Sequence, residues 1–301
     1  MTGSADRPTL VRPRRVAQLA DDAVRATIAG PRTTILWCGI LAALLNGVFT
    51  AFFALATGQL DSTAAGFVLL GSMLVWLPVM LFGTMLLYSM LAVHAAHRVV
   101  LGQQLGLVAT LLYLVRPRVL LTVAMVVVPI VIGSFLLLVP GMFAMALLAP
   151  AIPVMVAERR YLLDAIGRSV GLMSRTGGAG AFASGAAKAF ALLLVVVALS
   201  MLLTFVFQVP MQVITQGLIF REALSGVDPT ADTLAITNWI SLPFTLVTAV
   251  VSTFVYSFGF HAVALLYLDC VERAEAPALR RAVEGLSRSQ GDAEVPARGT
   301  P

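Results

Sequence analysis

Few side chains in this chain can do chemistry, and most of them are hydrogen-bonding groups rather than acids or bases. Asn46 places an amide in the middle of a long apolar run, in line with Ala42, Thr50 and Ala54 at i,i+4 spacing. A second stripe, Thr245, Thr248, Ser252, Tyr256 and Gly259, recurs every three or four residues in another run, with His261 just beyond it. Steps of three and four put each set on one helical face. A polar side chain inside a membrane-spanning helix costs a few kcal/mol to insert unless it finds a partner. The two faces are therefore expected either to pack together, with interhelical hydrogen bonds of about 1 kcal/mol each, or to line a polar cavity. Asn46, Thr50, Ser252, Tyr256 and His261 form the candidate intramembrane seam.

The charged candidates are Glu158, Arg168, Asp269 and Arg273, which all fall in the basic segments 158–188 and 269–301 that flank apolar runs. They are expected at one membrane surface as an ionic cluster that anchors the topology or meets a partner. His94 and His97 share a helix face, but no third ligand lies near them in sequence, so neither a metal nor any cofactor is expected. His261 is expected as a neutral histidine bonded to a neighbouring helix, because no run carries a carboxylate in its central part. There is no nucleophile elbow and no His-Glu-x-x-His, and the glycines at 177, 178 and 180 lack the lysine of a phosphate loop. Catalysis is not expected. It would require two of Glu158, Asp164, His261 and Asp269 to converge within hydrogen-bond reach. Cys38 and Cys270 are isolated thiols and read as small buried apolar residues.

A membrane is what must position these groups. The chain has 301 residues, 59% of them hydrophobic and only 12% charged, against about 25% charged in soluble domains. Six apolar runs stand out, at 33–57, 64–93, 119–139, 141–157, 182–207 and 239–268, where a spanning helix needs about 20 residues. The fourth is short and interrupted by Pro150 and Pro153. Of the 20 Lys and Arg residues, 19 fall in segments 1–32, 94–118, 158–188 and 269–301, which alternate with segments holding only Arg221. Retained positive charge marks the cytoplasmic side, so both termini are expected there. The first run exceeds the 7–15 residues of a signal-peptide core, so it reads as a retained span. The basic pI reflects this topology and does not point to nucleic acid, since no aromatic-basic stacking motif accompanies it.

Three stretches ahead of apolar runs are amphipathic: 16–25, 101–118 and 161–175. Such helices favour the headgroup plane, apolar side down. The fold class expected is thus all-α: a polytopic integral membrane bundle of six transmembrane helices with three interfacial amphipathic helices. Residues 1–32 form a cytoplasmic N-terminal segment, 33–268 the six-span domain and 269–301 a polar cytoplasmic tail with a short helix over 277–289 and disorder after Ser289. Segment 208–238 reads as a partly helical outer loop that turns at Asp228–Pro229, and Pro140–Gly141 as a tight hairpin between the third and fourth spans.

Three stretches carry a resemblance: Arg12, Pro13, Leu19, Asp21, Asp22 and Ala23; then Pro140, Gly141, Pro153, Glu158, Ala165, Arg168, Ser169 and Leu172; then Leu266, Tyr267, Asp269, Arg273 and Glu275. Together they resemble the uncharacterised bacterial six-span family related to the membrane domain of glycerophosphoryl diester phosphodiesterases. Val170 departs from that pattern, where Trp is frequent, as do Val271 and Ala276, which replace Arg and Gly. The resemblance implies a bacterial inner-membrane protein with an accessory role. It implies no enzyme activity, because the phosphodiesterases keep their chemistry in a separate soluble barrel for which this chain has no room.

The function expected is therefore a non-enzymatic accessory or scaffold component of the envelope, whose cytoplasmic ionic face meets membrane lipids or a membrane or cytoplasmic protein partner. The alternative is a small transporter or permease component for a lipophilic or amphipathic compound. An open pocket around Asn46, Ser252 and Tyr256 favours the second, and dry packing of the same residues favours the first.

Overall fold

Apolar runs in lipid have no water to satisfy their main chain, so each must close its hydrogen bonds within itself, as a helix does. The computed structural model describes residues 14–29, 32–58, 62–136, 138–175, 185–224 and 231–293, and these are all-helical, with no strand among them. In chain order the helices are α1 (Val16–Ala29), α2 (Arg32–Gly58), α3 (Ser62–Leu101), α4 (Leu107–Leu114), α5 (Pro117–Leu136), α6 (Leu138–Leu148), α7 (Ala151–Glu158), α8 (Leu163–Arg175), α9 (Gly185–Leu224) and α10 (Ala231–Ala293). Four of them, α2, α3, α9 and α10, contain apolar stretches long enough to cross a bilayer. A fifth is added if α4 and α5, which meet at 86°, form one broken span. The chain is a multi-pass membrane protein.

Several expected boundaries move. Pro140 and Gly141 do not form the hairpin turn: both lie in the first turn of α6, where the missing proline N–H is an orphan position anyway. The fourth apolar run is not one straight helix. It breaks at Ala149–Pro150 into α6 and α7, because Pro150 and Pro153 each withhold a donor. Segment 208–238 is mostly not a loop, since α9 runs on to Leu224 and α10 begins at Ala231. The helix expected over 277–289 is the continuation of α10, which extends past Ser289 to Ala293. The Asp228–Pro229 turn and the glycines at 177, 178 and 180 lie outside the described residues.

The amphipathic stretches 16–25 and 161–175 correspond to α1 and α8, whereas 101–118 is not one helix: it holds the end of α3, a non-helical link at 102–106, α4 and the start of α5. On α1, Leu19, Ala23 and Thr27 are buried at four-residue spacing, one face laid against α10 and α9. Ahead of α8, Arg159 and Leu162 adopt left-handed main-chain conformations (φ 54° and 56°) that reverse the chain. The Leu162 N–H is taken up by Thr122 Oγ1 at 2.9 Å and Ser169 Oγ donates to the Leu147 carbonyl at 2.7 Å, so this reversal is tied to both α5 and α6.

At the centre stands α10, in contact with α1, α2, α3, α8 and α9. Its longest contact is with α2, and small residues set its distance. Gly39, Ala43 and Gly47 repeat every four residues along α2, a pattern that lets helix backbones approach. A Cβ on Gly39 would lie 3.4 Å from the Cα of Val250, and one on Gly47 only 2.8 Å from Leu246 Cδ2.

Candidate functional site: a polar cavity and two ionic centres

Between α2, α3 and α10 lies a cavity of about 200 Å³. Asn46 contributes from α2, Thr84 and Tyr88 from α3, Gln208 from α9, and Thr245, Thr248, Ser252, Thr253 and Tyr256 from α10. None of its lining residues carries a charge. The hydrogen bonds of these groups are instructive. Asn46 Nδ2 donates to the Ala42 carbonyl of its own helix at 2.8 Å, not across an interface, because the carbonyl one turn back is the nearest acceptor. Thr245 and Thr253 likewise give their hydroxyl hydrogens to Ser241 and Ala249, at 3.0 and 2.8 Å. Their oxygens are left as acceptors. Thr248 Oγ1 is buried and has no partner among the described residues. The Tyr88 and Tyr256 rings meet at 4.5 Å between centroids, tilted 48° to each other. Thr50 bonds back to the Asn46 carbonyl at 3.0 Å and stands apart from the cavity lining.

A second cavity of about 530 Å³ lies between α6, α9 and α10. Its walls are mainly apolar, including Met145, Leu193, Val196, Met201 and Phe205, and it shares Gln208 and Tyr256 with the first.

His261 is fully buried and bonds within its own helix rather than to a neighbour, with Nδ1 2.8 Å from the Ser257 carbonyl. His94 is also fully buried, with Nδ1 3.0 Å from the Leu105 carbonyl. A carbonyl can only accept, so each Nδ1 carries the hydrogen. The two Nε2 atoms and Arg98 Nη1 are buried without partners among the described residues. His97 bonds to the Val93 carbonyl at 3.0 Å and packs edge-on against Tyr113.

The acidic and basic residues at the ends of the runs divide between two centres on α10. Tyr267 and Asp269 are two residues apart, roughly 200° around a helix, so they face opposite ways. On one side, the Asp269 carboxylate accepts from Lys188 Nζ at 3.1 Å, from the Arg14 main-chain N–H at 3.2 Å and from Arg273 one turn on. Lys188 Nζ also donates to the Arg14 carbonyl at 2.5 Å. The Asp269 side chain is 1% exposed and that of Lys188 8%, so this is a buried pair clamping the chain ahead of α1 onto α9 and α10.

On the other side, Glu158 accepts from Arg168 Nε at 3.0 and 3.2 Å and from the Tyr267 hydroxyl at 3.2 Å and is ion-paired with Arg160 at 3.1 Å, while Arg168 also reaches Glu275 at 3.2 Å. Burial works against the Arg168 charge, but the bonded Glu158 carboxylate more than offsets it and raises the pKa of the guanidinium above its ordinary value. This centre is more exposed and shared among five side chains. Arg168→Ala is therefore expected to cost only about 1 kcal/mol, read as a small shift in thermal unfolding in detergent. A loss as large as that expected for the buried pair would contradict the assignment.

Lys188, Thr84, Tyr88 and Gln208 were not legible as members of these sites. Lys188 stands alone in the first turns of the fifth apolar run, and in sequence its charge reads as topology. Gln208 falls where the chain reads as leaving the membrane. A faint signal existed for Lys188: it is the sole lysine among 20 basic residues. No protein-family model, no curated protein and no solved structure matches this chain.

Proposed function

We propose that this chain is a six-span, non-enzymatic protein of a bacterial inner membrane that binds an amphipathic compound between its first and last long helices, as a small transporter or permease component. One observation carries this: Asn46, Ser252 and Tyr256 surround a cavity instead of packing dry. A cavity lined by hydroxyls and amides in a lipid-embedded bundle leaves polar groups in need of a partner, and a bound ligand supplies one. In this proposal α6 and α7 together make the fourth crossing, and α2, α3, α5, α9 and α10 the other five. Both termini are cytoplasmic, as the placement of 19 of 20 basic residues supports. The relationship to the membrane domain of glycerophosphoryl diester phosphodiesterases belongs to the same proposal and rests on the three sequence stretches quoted above.

A second reading, an accessory or scaffold protein, is favoured by the half-exposed centre of Glu158, Arg160, Arg168 and Glu275, which presents mixed charge at one end of the bundle. Purification in mild detergent followed by native mass spectrometry separates the two. The wild type is expected to retain a small-molecule adduct. An Asn46→Leu, Ser252→Ala variant, short of two hydrogen-bonding groups at about 1 kcal/mol each, should retain about 10- to 30-fold less. A stoichiometric second protein with no adduct would favour the scaffold and overturn the ligand-binding reading.

A further inference from the structure

The two cavities meet at shared walls, and their chemistry differs in a way that selects a ligand class. Gln208 and Tyr256 line both. The smaller chamber, at about 200 Å³, has room for roughly six waters at ~30 Å³ each, the size of a glycerol or sugar head. Its lining holds no cation to pair with a phosphate and no anion to pair with an amine. A charged head there would be desolvated without compensation, which is prohibitive compared with leaving it at the membrane surface. The chamber offers both halves of a hydrogen bond: acceptors at Thr245 and Thr253, whose hydroxyl hydrogens are committed to their own helix, and donors in the Thr248 hydroxyl, without a partner among the described residues, and the Gln208 amide. Such a lining suits an uncharged group that both donates and accepts at one atom, which is what a hydroxyl does.

The larger chamber is mainly apolar, with Ser200, Thr204 and Gln212 among its walls, and opens along α9, where Met201 and Phe205 are 63% and 66% exposed. In a membrane that face borders lipid. A hydrocarbon chain can reach it laterally without crossing a polar layer.

We infer that the paired cavities bind a neutral, hydroxyl-bearing lipid, of the diacylglycerol or glycolipid class, with its head between α2, α3 and α10, its acyl chain along α9 and the junction at Gln208 and Tyr256. This rests on the ligand-binding reading of the cavity given under Proposed function. A net-neutral zwitterionic phospholipid is excluded with the anionic ones, since its phosphate would be as unpaired.

The test uses the full chain in phosphatidylcholine nanodiscs with two photoactivatable lipids of identical diazirine-bearing acyl chains, a diacylglycerol and a phosphatidylglycerol. Saturable labelling by the diacylglycerol is expected, mapped by peptide mass spectrometry to the stretch of α9 containing Met201 and Phe205 and at least 10-fold above phosphatidylglycerol. Thr248→Val with Ser252→Ala should lower it about 10-fold while leaving the detergent melting temperature near wild type. Equal or stronger saturable labelling by phosphatidylglycerol overturns the neutral-head inference and leaves the cavity reading standing. Absence of saturable labelling by either lipid, together with no native-mass adduct, overturns the reading of the cavity itself. Labelling that the paired substitutions leave unchanged while the protein stays folded shows an annular lipid and also overturns the inference.

Discussion

Asp269→Ala is expected to lower the stability of the folded protein by about 3–5 kcal/mol, the cost of removing one partner from a buried ion pair. The magnitude follows from what remains. Lys188 stays enclosed, with its side chain 8% exposed, and loses its carboxylate. The Arg14 N–H and the Arg273 guanidinium lose the same acceptor. Lys188 retains only the Arg14 carbonyl, which carries no countercharge. Denaturant unfolding in detergent micelles reads the loss directly. A paired replacement, Asp269→Leu with Lys188→Met, should recover most of it, because apolar residues of similar volume often substitute for a buried pair at little cost. If the single variant is as stable as wild type, Asp269 and Lys188 are solvated and the clamp does not exist. The same variant should free the segment ahead of α1, so limited proteolysis near Arg14 and Arg15 should quicken by about the same free energy converted to a population.

Gly39→Leu is expected to cost about 3 kcal/mol, the upper part of the range for overpacking. The reason is what stands opposite. A Cβ at Gly39 meets the main chain of Val250, its Cα at 3.4 Å and its carbonyl oxygen at 3.6 Å, and a helix backbone cannot rotate aside. Every further atom of a leucine must then push α2 from α10. Gly47 is the informative contrast: its Cβ would come within 2.8 Å of Leu246 Cδ2, the far end of a flexible side chain. Gly47→Ala should cost about 1 kcal/mol and be rescued by Leu246→Ala, whereas Val250→Ala should rescue Gly39→Leu only in part. Thermal unfolding of the four variants checks the pattern. Equal penalties at the two glycines, or full rescue by Val250→Ala, would show that α2 and α10 are not held at backbone contact. Since the cavity lies between these two helices, Gly39→Leu should also reduce the retained ligand.

The helical, multi-pass character of this chain was legible because hydrophobicity is a property of each residue and a bilayer sums it over about 20 positions, whatever the neighbours. The faces of Asn46 on α2 and of Ser252 and Tyr256 on α10 were legible for a similar reason, since a 3.6-residue period places side chains before any packing is known. The small-residue repeat Gly39, Ala43 and Gly47 lay in the same helix and could have been found from its four-residue spacing alone.

What composition and periodicity left open depends on pairs of residues far apart in the chain. Asp269 meets Lys188 across 81 residues and Arg14 across 255, and no local pattern encodes which arginine or lysine a given carboxylate will find. Tyr267 and Asp269 could be placed on opposite sides of a helix from the numbering, but which partners wait on each side followed only from how α1, α7, α8 and α9 gather round α10. The choice between a dry seam and a cavity was open for the same reason. It turns on the volume left when Thr84, Tyr88 and Gln208 arrive from α3 and α9, and volume belongs to the assembled helices, not to any one of them.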